Sequence, residues 1–582
     1  MTPGLAGFIA AGDDARARDE VVAGALEALG TAFGVIPDRG GKPAACRRTW
    51  LDTFDWRLHR AGLTLEYAGR PRGGELLLSG DTARTARTGS AAAPAPASAA
   101  GATAAPASAA PPASAAAPAT TQPVIGWQAT RPHLMCELPD GPVASRIGDL
   151  VAPRALLPVV TVTSTTTTHR LLNEDGKTVA RLLVERAAIA GPQPTPLAPR
   201  LGITEVRGYP GAARTAARLL AAAPGIEPAT APTETEALRA IGRRPGDYSN
   251  KVDAVITNAQ PASQAAATIL LRLLDTVEAN IAGVLADTDT EFLHDLRVSV
   301  RRTRSALKLF GDALTGRGGL TEGEAAFFAA EFKWVGDLTT PTRDLDVHLL
   351  DFDDTAHSLS AAKPDELEPF RAYLEQRRRR EFRLLSRGLK SARFTGLTRD
   401  WRDKLTTIAE ANPRTRVASV RSGKDRQAAG ETTSALAMER TRAAFAKTVR
   451  RGAAITPESP AETLHDLRKR AKELRYALEF FAPLHDRAAQ AKVVGELKRL
   501  QDCLGEFQDT EVQIGEIRAL ATAMLEAGEA PAITLLAMGE VTAGLALRQR
   551  VAREDFGRRF AAFAGIDGQR QLSALLRGKP GR

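Results

Sequence analysis

Cysteine is nearly absent. Cys46, Cys136 and Cys503 are the only three in 582 residues, too few and too scattered for a disulfide framework or a cysteine-based zinc site. The scarcity fits a reducing compartment, and the cytoplasm is the expected location. Aromatic residues make up only 5% of the chain, so Leu, Ala and Val must build most of any core. No apolar run reaches the ~18 residues that a membrane span requires, and Met1 to Ala11 carries no basic residue ahead of an apolar segment, so neither secretion nor membrane insertion is expected. A P-loop, an HExxH helix and a serine nucleophile elbow are all missing.

What the chain does have is length and positive charge. At roughly 100–200 residues per domain it must hold more than one core. Hydrophobic residues at 43% and charged residues at 25% exclude wholesale disorder. Lys and Arg number 78 against 68 for Asp and Glu, a formal net charge of +10, which favours a polyanionic partner: nucleic acid, polyphosphate or anionic lipid.

The composition changes along the chain. Leu63, Leu65 and Tyr67 alternate with Thr64 and Glu66, the period of a strand. Val159–Leu172 and Lys177–Ile189, rich in β-branched residues and separated by a turn at Asn173–Gly176, predict a β-hairpin. Between these lies an Ala/Pro/Ser/Thr/Gly stretch over about 85–121, read as a disordered insertion because little in it can bury apolar surface. From about Pro261 onward the periodicity becomes helical, with Leu270, Leu274, Val277, Ile281 and Val284 at three- and four-residue steps. Breaks are expected at Thr315–Gly319, Lys363–Asp365, Asn412–Pro413 and Pro457–Pro460.

The helical half repeats itself. LHDLRVSVRRTRSALKLF (Leu293–Phe310) aligns with LHDLRKRAKELRYALEFF (Leu464–Phe481), and Phe332–Leu349 aligns with Leu497–Ile514, matching Lys333 to Lys498, Asp337 to Asp502, Asp344 to Asp509 and Val347 to Val512. Two matches in the same order mean a duplicated helical unit, expected to pack about a pseudo-twofold that brings both copies to one groove. Leu293, Leu296, Val300, Leu307 and Phe310 form an apolar seam in the first copy, as Leu464, Leu467, Ala471, Leu474, Leu478 and Phe481 do in the second. Beside the seams run basic stripes: His294, Arg297, Arg301, Arg304 and Lys308, then His465, Arg468, Lys472 and Arg475.

A basic stripe is usually a solvated helix face. Here cations recur at successive turns with no acid between them, which costs a few tenths of a kcal/mol per pair unless an anion neutralises it, and the whole stripe is duplicated. We therefore read the stripes as anion ladders, with each histidine equally a structural residue or a ligand contact. Asp344 with Asp346, and Asp509 with Glu511, stand two apart as Mg²⁺ ligands can, but acids beside a cationic field more often pair with and orient Arg or Lys. No metal or cofactor is expected. The RRRR run containing Arg377 and Arg379 reads as an ordinary solvated face.

At these residues the chain closely resembles the CHAD family: LHDLRVSVRRTRSALKLF, TTPTRDLDV, LHDLRKRAKELRYALEFF and LKRLQDCLGEFQD look like its two repeats. The resemblance implies a CHAD domain over 264–563, an all-α helical bundle with repeat 1 at about 264–390 and repeat 2 at about 431–563, preceded by a linker at 252–263 and followed by a tail at 564–582. It also implies binding of inorganic polyphosphate, with possible association with granules, and carries the ligand role to His294, Arg297, Arg301, Arg304, His465, Arg468, Lys472 and Arg475. Lys308, Lys333, Lys469 and Lys498 complete the candidate set.

WLDTFDWRLHRAGLTLEY and KTVARLLVERAAI are similar to segments of the CYTH family, which implies an antiparallel β-barrel or triphosphate tunnel over 1–251. This tunnel is degenerate. The ExExK strand of CYTH enzymes has no counterpart in Met1 to Ala11, LLLSGD lacks the expected Lys, and ITEVRGY keeps only Glu205. Glu185 and Glu205 are too few to hold a catalytic metal. Arg57, Arg60, Arg181 and Arg186 are a candidate secondary phosphate site, or braces of the barrel. The expected function is thus non-enzymatic polyphosphate binding. The alternative is a metal-dependent tunnel triphosphatase or polyphosphatase, and nucleic-acid binding is disfavoured because the stripes have little aromatic interleaving.

Overall fold

β-branched side chains fit a pleated surface, and the Val/Thr-rich stretch forms the expected hairpin in the computed structural model, which describes residues 7–38, 44–70, 73–80, 119–315, 319–411 and 432–577. Contacts divide the chain into two units, Met1–Ser249 and Asn250–Arg582. Positions 85–118 of the expected insertion, and the break at Asn412–Pro413, lie outside the described residues.

The first unit is built on one antiparallel sheet of strands β1 (Phe8–Ala10), β2 (Gly34–Pro37), β3 (Ala44–Asp52), β4 (Leu63–Arg70), β5 (Gly73–Gly80), β6 (Thr120–Val124), β7 (Leu157–Leu172), β8 (Thr178–Ile189), β9 (Thr195–Pro196), β10 (Arg200–Glu205) and β11 (Ile226–Pro228). The order is β11-β1-β10-β8-β7-β3-β4-β5-β6, with β2 also on β7 and β9 also on β8. Helices Ala15–Gly30 and Pro210–Ala222 cover Leu171, Ala180, Leu182, Val184 and Leu201. Helix Pro142–Val151 packs Val143, Ile147 and Val151 against Leu65, Leu76 and Leu78.

This sheet corrects the expected barrel. Among the described residues its two end strands, β11 and β6, do not pair with each other, so the described sheet is open and forms neither a tunnel nor a CYTH-like fold. Both end strands carry a proline, Pro228 and Pro123, which has no N–H to offer a ladder and marks an edge. The candidate secondary site disperses accordingly. Arg181 and Arg186 are five apart on β8, hence on opposite faces of the sheet. Arg57 donates to the carbonyls of Val151 and Ala152, Arg60 to that of Tyr248, and Arg186 pairs with Asp19 at 3.0 Å. Glu205 is in register with Ala180 while Glu185 is in register with Arg200, which places the two carboxylates on opposite faces too.

The second unit is helical: α1 (Ala262–Leu285), α2 (Thr290–Leu314), α3 (Glu322–Leu350), α4 (Glu368–Leu389), α5 (Ala392–Glu410), α6 (Thr433–Ala453), α7 (Ala461–Phe480), α8 (Arg487–Glu526), α9 (Ala532–Ala564) and α10 (Ile566–Arg577). Asp289 caps α2 through the N–H groups of Glu291 and Phe292. Thr321 and Glu324 form a capping box on α3. The seams are where periodicity put them: Leu293, Leu296, Val300 and Phe310 are buried, as are all six residues of the second seam, while Leu307 is only partly covered. Phe310 meets Phe480 and Phe481 with ring centroids 6.3 and 5.5 Å apart, so the two repeat helices touch at their C-terminal ends.

Candidate anion-binding site

A residue beside a buried seam is held near the surface by the packing of its neighbours. The stripe residues follow this rule: His294, Arg297, Arg304, His465, Arg468, Lys472 and Arg475 are half-buried, and Arg301, Lys308 and Lys469 are exposed. Each stripe leans on the long helix that follows it. Arg297 donates through Nη1 to Thr339 Oγ1 (3.0 Å), Thr340 Oγ1 (2.8 Å) and the Gly336 carbonyl (3.3 Å) on α3. Its counterpart Arg468 pairs with Asp509 on α8 at 2.8 Å. A Cβ built at Gly336 would lie 3.3 Å from the Arg304 guanidinium, and at the equivalent place Arg475 reaches Gln501 at 3.4 Å. Thus Arg304 and Arg475 meet equivalent turns of the following helix, while Arg468 reaches an acid one turn beyond the turn that Arg297 meets.

The two stripes also meet each other. Arg302 of α2 and Arg475 of α7 share Glu479, at 3.1 and 2.7 Å. Next to this clamp, Lys472 feels the charges of Arg468, Arg301 and Arg475. Burial, then Arg468 and Arg301, push the Lys472 ammonium down to about 8, against the pull of Asp509. Burial also lowers Arg297, to about 10, with Arg301 and Arg343 adding and Asp344 opposing. Four stripe cations, Arg301, Arg304, Lys308 and Lys472, have no hydrogen bond or ion pair among the described residues. Cations brought from two helices to within reach of each other's charge, as Arg301 and Lys472 are, form an arrangement that can take an anion.

Other candidates stand apart from this centre. Lys333 forms an exposed pair with Asp337 at 2.6 Å one turn along its own helix, and Lys498 is exposed on α8. His465 hydrogen-bonds Gln508, a structural contact. The acids act as counter-ions: Asp509 holds Arg468, and Asp346 holds Arg378. No group of three or more metal-ligating side chains occurs among the described residues.

Sequence reasoning missed several contributors. The hydroxyls of Thr339 and Thr340 stand just before Pro341, inside α3, and their cue was the TTP triplet in an otherwise helical run. Arg343 donates to the Thr290 carbonyl at 3.2 Å and adds charge beside Arg297. Within the RRRR run, Arg377 and Arg379 are exposed as expected, but Arg378 turns inward to Asp287 and Asp346. The signal was its place in the seam Phe370, Leu374, Leu385 and Leu389. His348 bonds Glu516 at 2.9 Å and ties α3 to α8.

Residues 268–518 match the family model of the CHAD domain. This stretch is a CHAD-like helical domain. Among solved structures, the chain is similar to the CHAD domain from the plant Ricinus communis, with 23% identity, a TM-score of 0.44, and 54% of this chain and 96% of that one covered. It is also similar to PptA from Streptomyces chartreusis, with 17% identity, a TM-score of 0.37, and coverage of 52% and 99%. No curated protein matches the chain. No helix among the described residues is long and apolar enough to cross a membrane.

Proposed function

We propose that the helical unit binds inorganic polyphosphate along the two basic stripes, without catalysis. The observation that carries this reading is that Arg301, Arg304, Lys308 and Lys472 have no partner among the described residues, with Arg301 of one stripe close enough to Lys472 of the other to feel its charge. The stripe from Arg297 to Lys308 advances about 16 Å at 1.5 Å per residue, so it offers cations at intervals of about one turn to a linear anion. A basic surface without interleaved aromatics suits a chain of phosphates better than stacked bases. The CHAD match over 268–518 supports the ligand class, since polyphosphate binding is what the resemblance to that family implies.

The test is titration of the full chain with polyphosphate of defined length. Arg297→Ala combined with Arg468→Ala is expected to weaken binding at least tenfold, about 1.4 kcal/mol or more, with helicity unchanged. Arg377→Ala combined with Arg379→Ala should have little effect. Equal losses in the two double variants would mean that net charge alone drives binding. Release of phosphate from tripolyphosphate in the presence of Mg²⁺ or Mn²⁺ would overturn the non-catalytic part. A binder of this kind is expected to collect on polyphosphate granules, and a tagged chain that stays diffuse in granule-bearing cells would contradict that.

A further inference from the structure

The stripes are alike in sequence and unlike in charge balance. In the first copy Arg297 meets only neutral oxygens, of Thr339, Thr340 and Gly336, and Asp344, the counterpart of Asp509, forms no ion pair with it. Arg301, Arg304 and Lys308 have no partner among the described residues. In the second copy Asp509 holds Arg468 at 2.8 Å and Glu479 holds Arg475 at 2.7 Å, leaving Lys472 as the stripe cation without a partner among the described residues.

Three substitutions between the copies account for the difference. Lys308 aligns with Glu479, so the first stripe ends in a cation where the second ends in an acid that folds back on Arg475. Thr339 aligns with Leu504 and Thr340 with Gly505, so neither hydroxyl that Arg297 meets has a counterpart opposite Arg468. The Thr340 hydroxyl gives Arg297 a neutral partner, whereas Gly505 has no side chain, and a Cβ built there would lie 3.8 Å from both the Arg468 Nη2 and the Asp509 Oδ2. The guanidinium settles over the glycine and reaches the acid one turn on.

We propose that a polyanion engages the two stripes unequally: α2 is the primary anchor, and Asp509 is an internal counter-anion that holds the α7 stripe back until the ligand displaces it. This rests on the polyphosphate reading and adds an order of engagement to it. Asp509 is 63% exposed at its side chain, so it is free to swing away when phosphate takes its place on Arg468. A pair whose acid is this open to solvent is one for which a ligand can compete.

The experiment compares variants of the full chain by titration with the same polyphosphate. Arg301→Ala with Arg304→Ala should cost at least about three times more affinity than Arg468→Ala with Arg475→Ala. Asp509→Asn should tighten binding by about two- to fivefold, the range an exposed ion pair spans. Gly505→Thr, which gives Arg468 one of the two hydroxyls that Arg297 has, should tighten binding in the same direction. Equal losses from the two stripes, or weaker binding in Asp509→Asn, would overturn the inequality while leaving polyphosphate binding intact. A wild-type chain that does not bind polyphosphate would sink the reading beneath it.

Discussion

Lys472 is a stripe residue whose charge is disfavoured by its surroundings. Its ammonium is pushed down to about 8 from an ordinary value of 10.5, by burial first and then by Arg468 and Arg301. Between those values the unfolded chain holds the proton and the folded chain does not, so the Lys472 contribution to stability grows as pH rises from about 8 to 10.5 and is least below about 8. Ligand binding has the opposite preference. A polyanion favours the charged form, so binding takes up protons, and affinity should fall as pH rises through about 8. Lys472→Arg keeps its charge over that range and should flatten the fall. Calorimetry in two buffers of different ionisation heat reads the proton uptake directly, and the same uptake in wild type and Lys472→Arg would assign it to another group.

At the scale of elements, the seams and stripes were legible because helical periodicity reports which residues share a face. What the stripes face was not legible, since Thr340 against Arg297 and Asp509 against Arg468 depend on how one helix crosses the next. Arg378 shows the same limit. Its side chain binds Asp346, whose carboxylate is fully buried, and reaches Asp287 at 2.7 Å, clamping α4 to α3. Removing the guanidinium leaves a buried charge without a partner. Arg378→Ala should therefore destabilise the unit by about 3–5 kcal/mol, whereas Arg377→Ala and Arg379→Ala, both exposed, should stay within about 0.5 kcal/mol. Denaturant unfolding of the full chain measures this, and a loss at Arg377 as large as that at Arg378 would refute the clamp.

For the whole molecule, the duplication and the switch from strand to helix periodicity are written in the chain, and the hairpin Leu157–Leu172 with Thr178–Ile189 was readable from its β-branched residues. Closure of the sheet was not. A strand pattern specifies alternation along one strand and says nothing of whether the first and last strands of a sheet meet, and Pro123 and Pro228 keep β6 and β11 as edges. The candidate phosphate arginines of that unit scattered as a result, while the stripes of the helical unit converged. The central claim is that convergence creates a polyanion site beyond what net charge supplies. Its most direct test is the salt dependence of polyphosphate affinity in the full chain, because each phosphate neutralised by a protein cation releases a counter-ion. We predict a steep linear fall of log affinity with log salt concentration, flattened in Arg301→Ala with Arg304→Ala and unchanged in Arg377→Ala with Arg379→Ala. Identical slopes in all three proteins would contradict the account.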